Sequence, residues 1–221
     1  MSLRRAVKHV CHDSPMLLQD RVAIISGVGP GMGRDISLAF AREGADVVLA
    51  ARSAGKLEAV ATEVEALGRK ALCVPTDITD EGQCHALAQA AVDKFGHVDA
   101  LVNNAFIQPP FETIEDNDMK TWRTGFEVNV FGSVQMTKAL IPHLKANGGG
   151  SVIFINSMSA RRIQKEFGVY AASKSALLAA AKTLALELGE YQIRVNSVVP
   201  GYIWGDSVEW YFRFLAEQEG I

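Results

Sequence analysis

The chain has 221 residues, 48% of them hydrophobic and 21% charged, which is the size and composition of a folded domain and excludes a disordered chain. A net charge of −3 from 22 basic and 25 acidic side chains gives no basis for nucleic acid or an anionic membrane as the main partner. The three cysteines, Cys11, Cys73 and Cys84, lack CxxC spacing and read as reduced thiols of a cytoplasmic protein, and no apolar run reaches the ~18 residues of a membrane span.

Residues 1–19 have no apolar core ending in a small-residue cleavage site, so they read as a tail, with room for an expression remnant, rather than a secretory leader. His9, Cys11 and His12 cluster there without a fourth ligand, and no metal site is expected. From residue 20 onward, apolar runs alternate with amphipathic stretches. Strands are expected at 21–26, 46–51, 70–76, 98–105, 150–157 and 193–201. Helices are expected at 32–43, 53–68, 80–96, about 118–146 and about 168–189. Helices of a dozen residues between strands imply βαβ crossovers, hence a doubly wound parallel sheet in a three-layer α/β/α domain, 20–221. Such sheets bind ligands at the carboxyl ends of their strands, where Gly27–Gly33, Arg52, Asp77, Asn103, Ser157 and Pro200 all fall.

The loop SGVGPGMG (26–33) leaves the first strand and opens the first helix. Its spacing on Gly27, Gly31 and Gly33 is GxxxGxG, because Met32 breaks the stricter GxGxxG. Such a loop is either a tight strand–helix turn or a diphosphate cradle, and its place in a βαβ series favours the cradle. The second strand ends at Ala51–Arg52 with no carboxylate, and Arg69 and Lys70 follow. A carboxylate there would suit a ribose 2′-hydroxyl and an arginine a 2′-phosphate, so NADP is expected over NAD.

Tyr170 and Lys174 stand four residues apart near the start of a helix and share a face. An isolated phenol, with a pKa of about 10, transfers protons poorly at neutral pH, and a neighbouring ammonium is expected to lower it. Ser157, just after the fifth strand, is placed to hold a substrate oxygen. Asn129 lies inside the long helical pattern, where asparagine is unfavourable, and a kink there would free backbone groups.

SGVGPGMG, NNA (103–105), Asn129, Ser157, YAASK (170–174) and PGYI (200–203) occur in an order and spacing that resembles the single-domain short-chain dehydrogenase/reductase family, over roughly residues 20–204. The resemblance implies a Rossmann-type fold and hydride exchange between a nicotinamide cofactor and a small-molecule carbonyl or alcohol. It implies Tyr170 as acid/base, Lys174 as its electrostatic partner and ribose ligand, Ser157 as the substrate-oxygen holder and Asn129 as support for a relay water. It places the cofactor on Ser26, Gly27, Gly31, Met32 and Gly33, on Arg52, Asp77 and Ile78, on Asn103 and Ala105, and on Tyr170, Lys174, Pro200 and Ile203. It further implies a homodimer or homotetramer built on the two long helices.

Three features depart from the family pattern. Phe106 replaces the glycine of NNAG and is expected to reshape the substrate entrance. Trp204-Gly205-Asp206 replace a threonine that contacts the cofactor. The sequence stops at Ile221, within an amphipathic aromatic segment (about 204–221) that resembles the substrate lid, before the family's further helix and seventh strand; either a tail is omitted or the protein is truncated, and in the second case the sixth strand is expected to form an edge. Two functions remain: an oxidoreductase, or a catalytically silent dinucleotide-binding regulatory or scaffold protein.

Overall fold

The computed structural model describes residues 16–219. The proposed tail up to residue 15, with His9, Cys11 and His12, and the final Ile221 lie outside the described residues. Six strands form one parallel sheet: β1 (Val22–Ser26), β2 (Asp46–Ala51), β3 (Ala71–Pro75), β4 (Ala100–Asn103), β5 (Gly150–Ile155) and β6 (Ile193–Val198). Their spatial order is β3-β2-β1-β4-β5-β6, with β6 on an edge. Registers such as Val22 beside Asp46 and Ala23 beside Ala100 align the strand ends on one rim.

Burial on both faces explains why the strands are continuous apolar runs rather than alternating ones. Val22, Ile24, Val48, Leu101, Val152 and Phe154 point to one face. There they meet Leu87 of α3 (Glu81–Phe95), Met136 and Leu140 of α5 (Ser133–Ala146) and Leu177 of α6 (Gly168–Leu188). Ala23, Ile25, Val47, Leu49 and Val102 point to the other, against Leu38 of α1 (Met32–Arg42) and Leu57, Val60 and Val64 of α2 (Ala54–Ala66).

The long pattern expected over 118–146 is not one α-helix. It runs as α4 (Met119–Phe126), a π-helical segment Glu127–Gly132, and α5. Asp118 caps α4, its carboxylate accepting from Lys120 N and from Thr121 N at 3.1 Å. The π segment is centred on Asn129, so the expected kink is present and takes the form of widened turns. The aromatic segment forms α7 (Asp206–Glu219), which lays Tyr211 against Phe111 (ring centroids 5.5 Å) and Phe167 (5.8 Å).

Candidate active site

The loop after β1 is held by β4. Asn104 Nδ2 donates to Gly27 O at 2.8 Å, and Asn104 N to Ser26 O at 3.2 Å. A Cβ on Gly27 would stand 2.4 Å from the backbone of Ala105, so this close approach requires glycine. Gly31 (φ 107°) precedes α1 and has no protein atom within 4 Å of a Cβ position. The open side of the loop and the free N–H groups of α1 therefore face outward together, an arrangement that attracts a diphosphate.

A cavity of about 630 Å³ extends from this loop. Gly27, Met32 and Gly33 line it, with Arg52, Asp77, Ile78, Ala105 and Phe106. The Asp77 carboxylate accepts from Thr79 N at 2.9 Å and from Thr79 Oγ1 at 2.8 Å. These bonds, with nearby Arg52 adding to them, hold it below the usual carboxylate range. Asn104 Oδ1, in the cavity wall, is buried without a protein donor. An acceptor of that kind, free glycine-loop donors and a basic far end fit a nicotinamide dinucleotide.

One of the expected basic residues is engaged elsewhere. Arg69 is tied to Asp46 at 3.0 Å and Asp20 at 3.3 Å, away from the cavity. Arg34, next to the glycine loop, is held by Glu63. Arg52 and Lys56 both line the cavity, and neither makes an ion pair among the described residues. Lys56 went unnoticed in the sequence although it stands four residues after Arg52.

Tyr170, in the first turn of α6, and Lys174, one turn later, face the end of β5. Lys174 is 3% exposed, and its Nζ donates to Ile155 O at 2.9 Å. Burial pulls its pKa down to about 8. Burial pushes the Tyr170 phenol up, with the Ser157 hydroxyl acting in the opposite direction. The expected lowering of the phenol by Lys174 is not found: burial raises it, and the ammonium, 5.7 Å from the tyrosine ring centroid, bonds to a carbonyl. Ser157 Oγ also accepts from Ser159 N at 3.1 Å, which fixes the hydroxyl at the head of a short 3₁₀ turn.

Asn129 is fully buried. Its Oδ1 accepts from Ile107 N at 2.8 Å, and its Nδ2 donates to Ile107 O at 3.1 Å and to Ser173 Oγ at 3.2 Å. Ser173 Oγ in turn donates to Tyr170 O at 2.8 Å. The side chain expected to support a relay water therefore clamps the loop after β4 and, through Ser173, the start of α6.

Several expected cofactor contacts lie apart from the cavity. Ser26 is buried inside the sheet, its Oγ donating to Val102 O at 3.4 Å. Asn103 points to the α5 face, where its Nδ2 donates to Thr137 Oγ1 at 2.9 Å, and the next residue, Asn104, takes the cavity wall instead. Strand alternation is the reason, since adjacent side chains at a strand end point to opposite faces. Pro200, whose carbonyl accepts from Met158 N at 2.9 Å, and Ile203, 49% exposed, follow β6 and do not line this cavity.

A family model described as short chain dehydrogenase matches residues 21–211. The 7alpha-hydroxysteroid dehydrogenase of Escherichia coli (strain K12) is 38% identical over 192 residues, covering 87% of this chain and 74% of that protein. The trans-4-hydroxycyclohexanecarboxylate dehydrogenase of Sinomonas cyclohexanicum is 40% identical over 190 residues, 83% of this chain and 73% of that protein. Among solved structures, a 7 alpha-hydroxysteroid dehydrogenase complexed with NADH and 7-oxo glycochenodeoxycholic acid superposes with a TM-score of 0.84 at 37% identity, covering 89% of this chain and 76% of that one. An NAD+-bound xylitol dehydrogenase does so at 0.87 and 27% identity, covering 91% and 78%.

Proposed function

The chain belongs to the short chain dehydrogenase family, and from that premise we propose that it is an NADP(H)-preferring oxidoreductase interconverting a ketone and a secondary alcohol. The observation that carries this reading is the meeting of Ser157, Tyr170 and Lys174 at the end of β5, beside a glycine-walled cavity. A nicotinamide dinucleotide held there would supply or take the hydride. Ser157 Oγ holds the substrate oxygen, and Tyr170 Oη gives it a proton in reduction or takes one in oxidation. The phenol is protonated at neutral pH, and burial acts in the same direction, so in reduction it is the proton donor. Lys174 brings a positive charge near the tyrosine, 5.7 Å from its ring centroid, and would offer Nζ to the ribose. Asn129 keeps Tyr170 in position through Ser173.

The NADP preference rests on Arg52 and Lys56 at the far end of the cavity, where no carboxylate stands at the end of β2. The steroid and cyclohexane alcohols named for two relatives make the starting substrate panel. We also assign a homo-oligomer and a cytoplasmic location to the protein. Among the described residues no helix is long and apolar enough to cross a membrane.

The test is oxidation of NADPH and of NADH with that panel, in the natural protein and in Tyr170→Phe. The variant is expected to lose roughly 10²- to 10⁴-fold in rate while binding cofactor as before. A Tyr170→Phe protein retaining most of the rate overturns the mechanism. Cofactor binding with no turnover across the panel replaces it with the silent dinucleotide-binding reading. Tighter binding of NADH than of NADPH overturns the role given to Arg52.

A further inference from the structure

Phe106 stands between two fixed points. On its N-terminal side Asn104 is bonded to Gly27 O, and Ala105 touches the glycine loop. On its C-terminal side both backbone groups of Ile107 are held by the Asn129 side chain, at 2.8 and 3.1 Å. The backbone on both sides of Phe106 is anchored, while its side chain is 48% exposed and can turn about its own bonds.

The ring lies against the reactive pair. Its centroid is 6.3 Å from that of Tyr170 at an interplanar angle of 59°, and Lys174 Nζ is 5.6 Å from it. The same residue lines the dinucleotide cavity. Phe106 and Ile107 belong to the cavity wall, whereas Ser157, Tyr170 and Lys174 do not. In this pose the cavity and the proton-transfer groups are neighbours separated by one aromatic side chain.

We infer that Phe106 is a positioning residue, a rotatable partition that must turn aside before the nicotinamide end of the cofactor reaches Tyr170 and Lys174. The inference rests on the reading of the cavity as a dinucleotide site and goes beyond it by assigning the ring a cost in cofactor binding. The adenosine end binds at Arg52, remote from the partition, and does not feel it. The nicotinamide end displaces the ring from Tyr170 and Lys174, and its apparent affinity falls by the fraction of molecules in which the ring is already open. Tilted aromatic and cation–π contacts of this kind shift such an equilibrium by roughly threefold to tenfold.

The experiment compares two ligands on two variants. NADPH (or NADH, whichever binds more tightly) and its counterpart lacking nicotinamide, 2′-phospho-ADP-ribose or ADP-ribose, are titrated calorimetrically into the natural protein, Phe106→Gly and Phe106→Ala. Thermal unfolding confirms that each variant is folded, and alanine serves where glycine loosens the loop. The expected result is a threefold to tenfold gain in affinity for the dinucleotide with the affinity for the nicotinamide-free ligand unchanged. An equal shift for both ligands, no shift for either, or a loss for the dinucleotide alone overturns the partition while leaving the cavity assignment standing. Failure of both ligands to bind the natural protein overturns the cavity assignment and the partition together.

Discussion

Lys174 is an ammonium taken out of water, 3% exposed, with the Ile155 carbonyl at 2.9 Å as compensation. Its pKa falls from an ordinary 10.5 to about 8, so the unfolded chain holds this proton more tightly than the folded one. Between about pH 8 and 10.5 the unfolded state binds more protons, and stability therefore rises with pH across that window. The burial penalty is full below about pH 8 and fades as pH approaches 10.5. In Lys174→Met this rise disappears. Urea unfolding at pH 7 and pH 10 is expected to show the natural protein gaining, relative to the variant, on the order of 2–3 kcal/mol. Equal pH dependence in the two proteins would show that Lys174 is not desolvated. The pairing of Tyr170 with Lys174 was readable from the sequence because four residues on a helix always share a face. The direction in which their environment moves them was not, because it depends on cover from β5 and Phe106, which lie distant in sequence. The side chains of Ser26 and Asn103 turn into the fold for a related reason: a motif names the strand end, while the pleat decides which face each side chain takes.

The six strands were legible as apolar runs, and their observed ends fall within a few residues of expectation because turns and helix caps bracket them. The π segment Glu127–Gly132 was legible as a disturbance at Asn129 but not as a shape. It coincides with a contact 22 residues away, where the Asn129 amide binds both backbone groups of Ile107. The glycine loop shows the same division. That Gly27 precedes a helix is local information, but that it touches Ala105 is not. Gly27→Ala must force a side chain to φ 81° and bring Cβ to 2.4 Å from a backbone anchored by Asn104. It is expected to cost about 3 kcal/mol or more and to abolish cofactor binding. Gly55, in the first turn of α2, has open space around its Cβ position, and Gly55→Ala is expected to stabilise by about 0.5–1 kcal/mol. Thermal unfolding of the two variants side by side checks both, and similar small shifts would deny the loop its tight packing.

At the scale of the molecule, the order β3-β2-β1-β4-β5-β6 reverses direction between β1 and β4, and open α/β sheets form their ligand crevice at such a point. The cavity lies there, walled by the segments that leave β1, β2, β3 and β4, while Ser157, Tyr170 and Lys174 arrive from the β5 side. The proposed chemistry thus depends on α4, the π segment and α6 holding their places. Asn129, in the π segment, is joined to Ser173 of α6. The outer surface of these elements carries apolar side chains that the described residues leave uncovered. Trp122 stacks on Phe126 at a centroid distance of 6.3 Å, Phe131 tilts against Phe126 at 6.5 Å, Phe131 is 55% exposed, and Leu186 of α6 is 86% exposed. Aromatic surface of this kind marks association sites on stable proteins. The family resemblance implies that the partner is a second copy of the chain, bound through these helices. Light scattering after size-exclusion chromatography is expected to give a multiple of 23.9 kDa. Phe131→Asp, exposed enough to leave the fold intact, is expected to shift the species to the monomer. Because α6 carries Tyr170, the monomer should also lose activity at low protein concentration and regain part of it as concentration rises. A protein already monomeric at micromolar concentration, or a Phe131→Asp variant that stays assembled, would remove these helices as the interface.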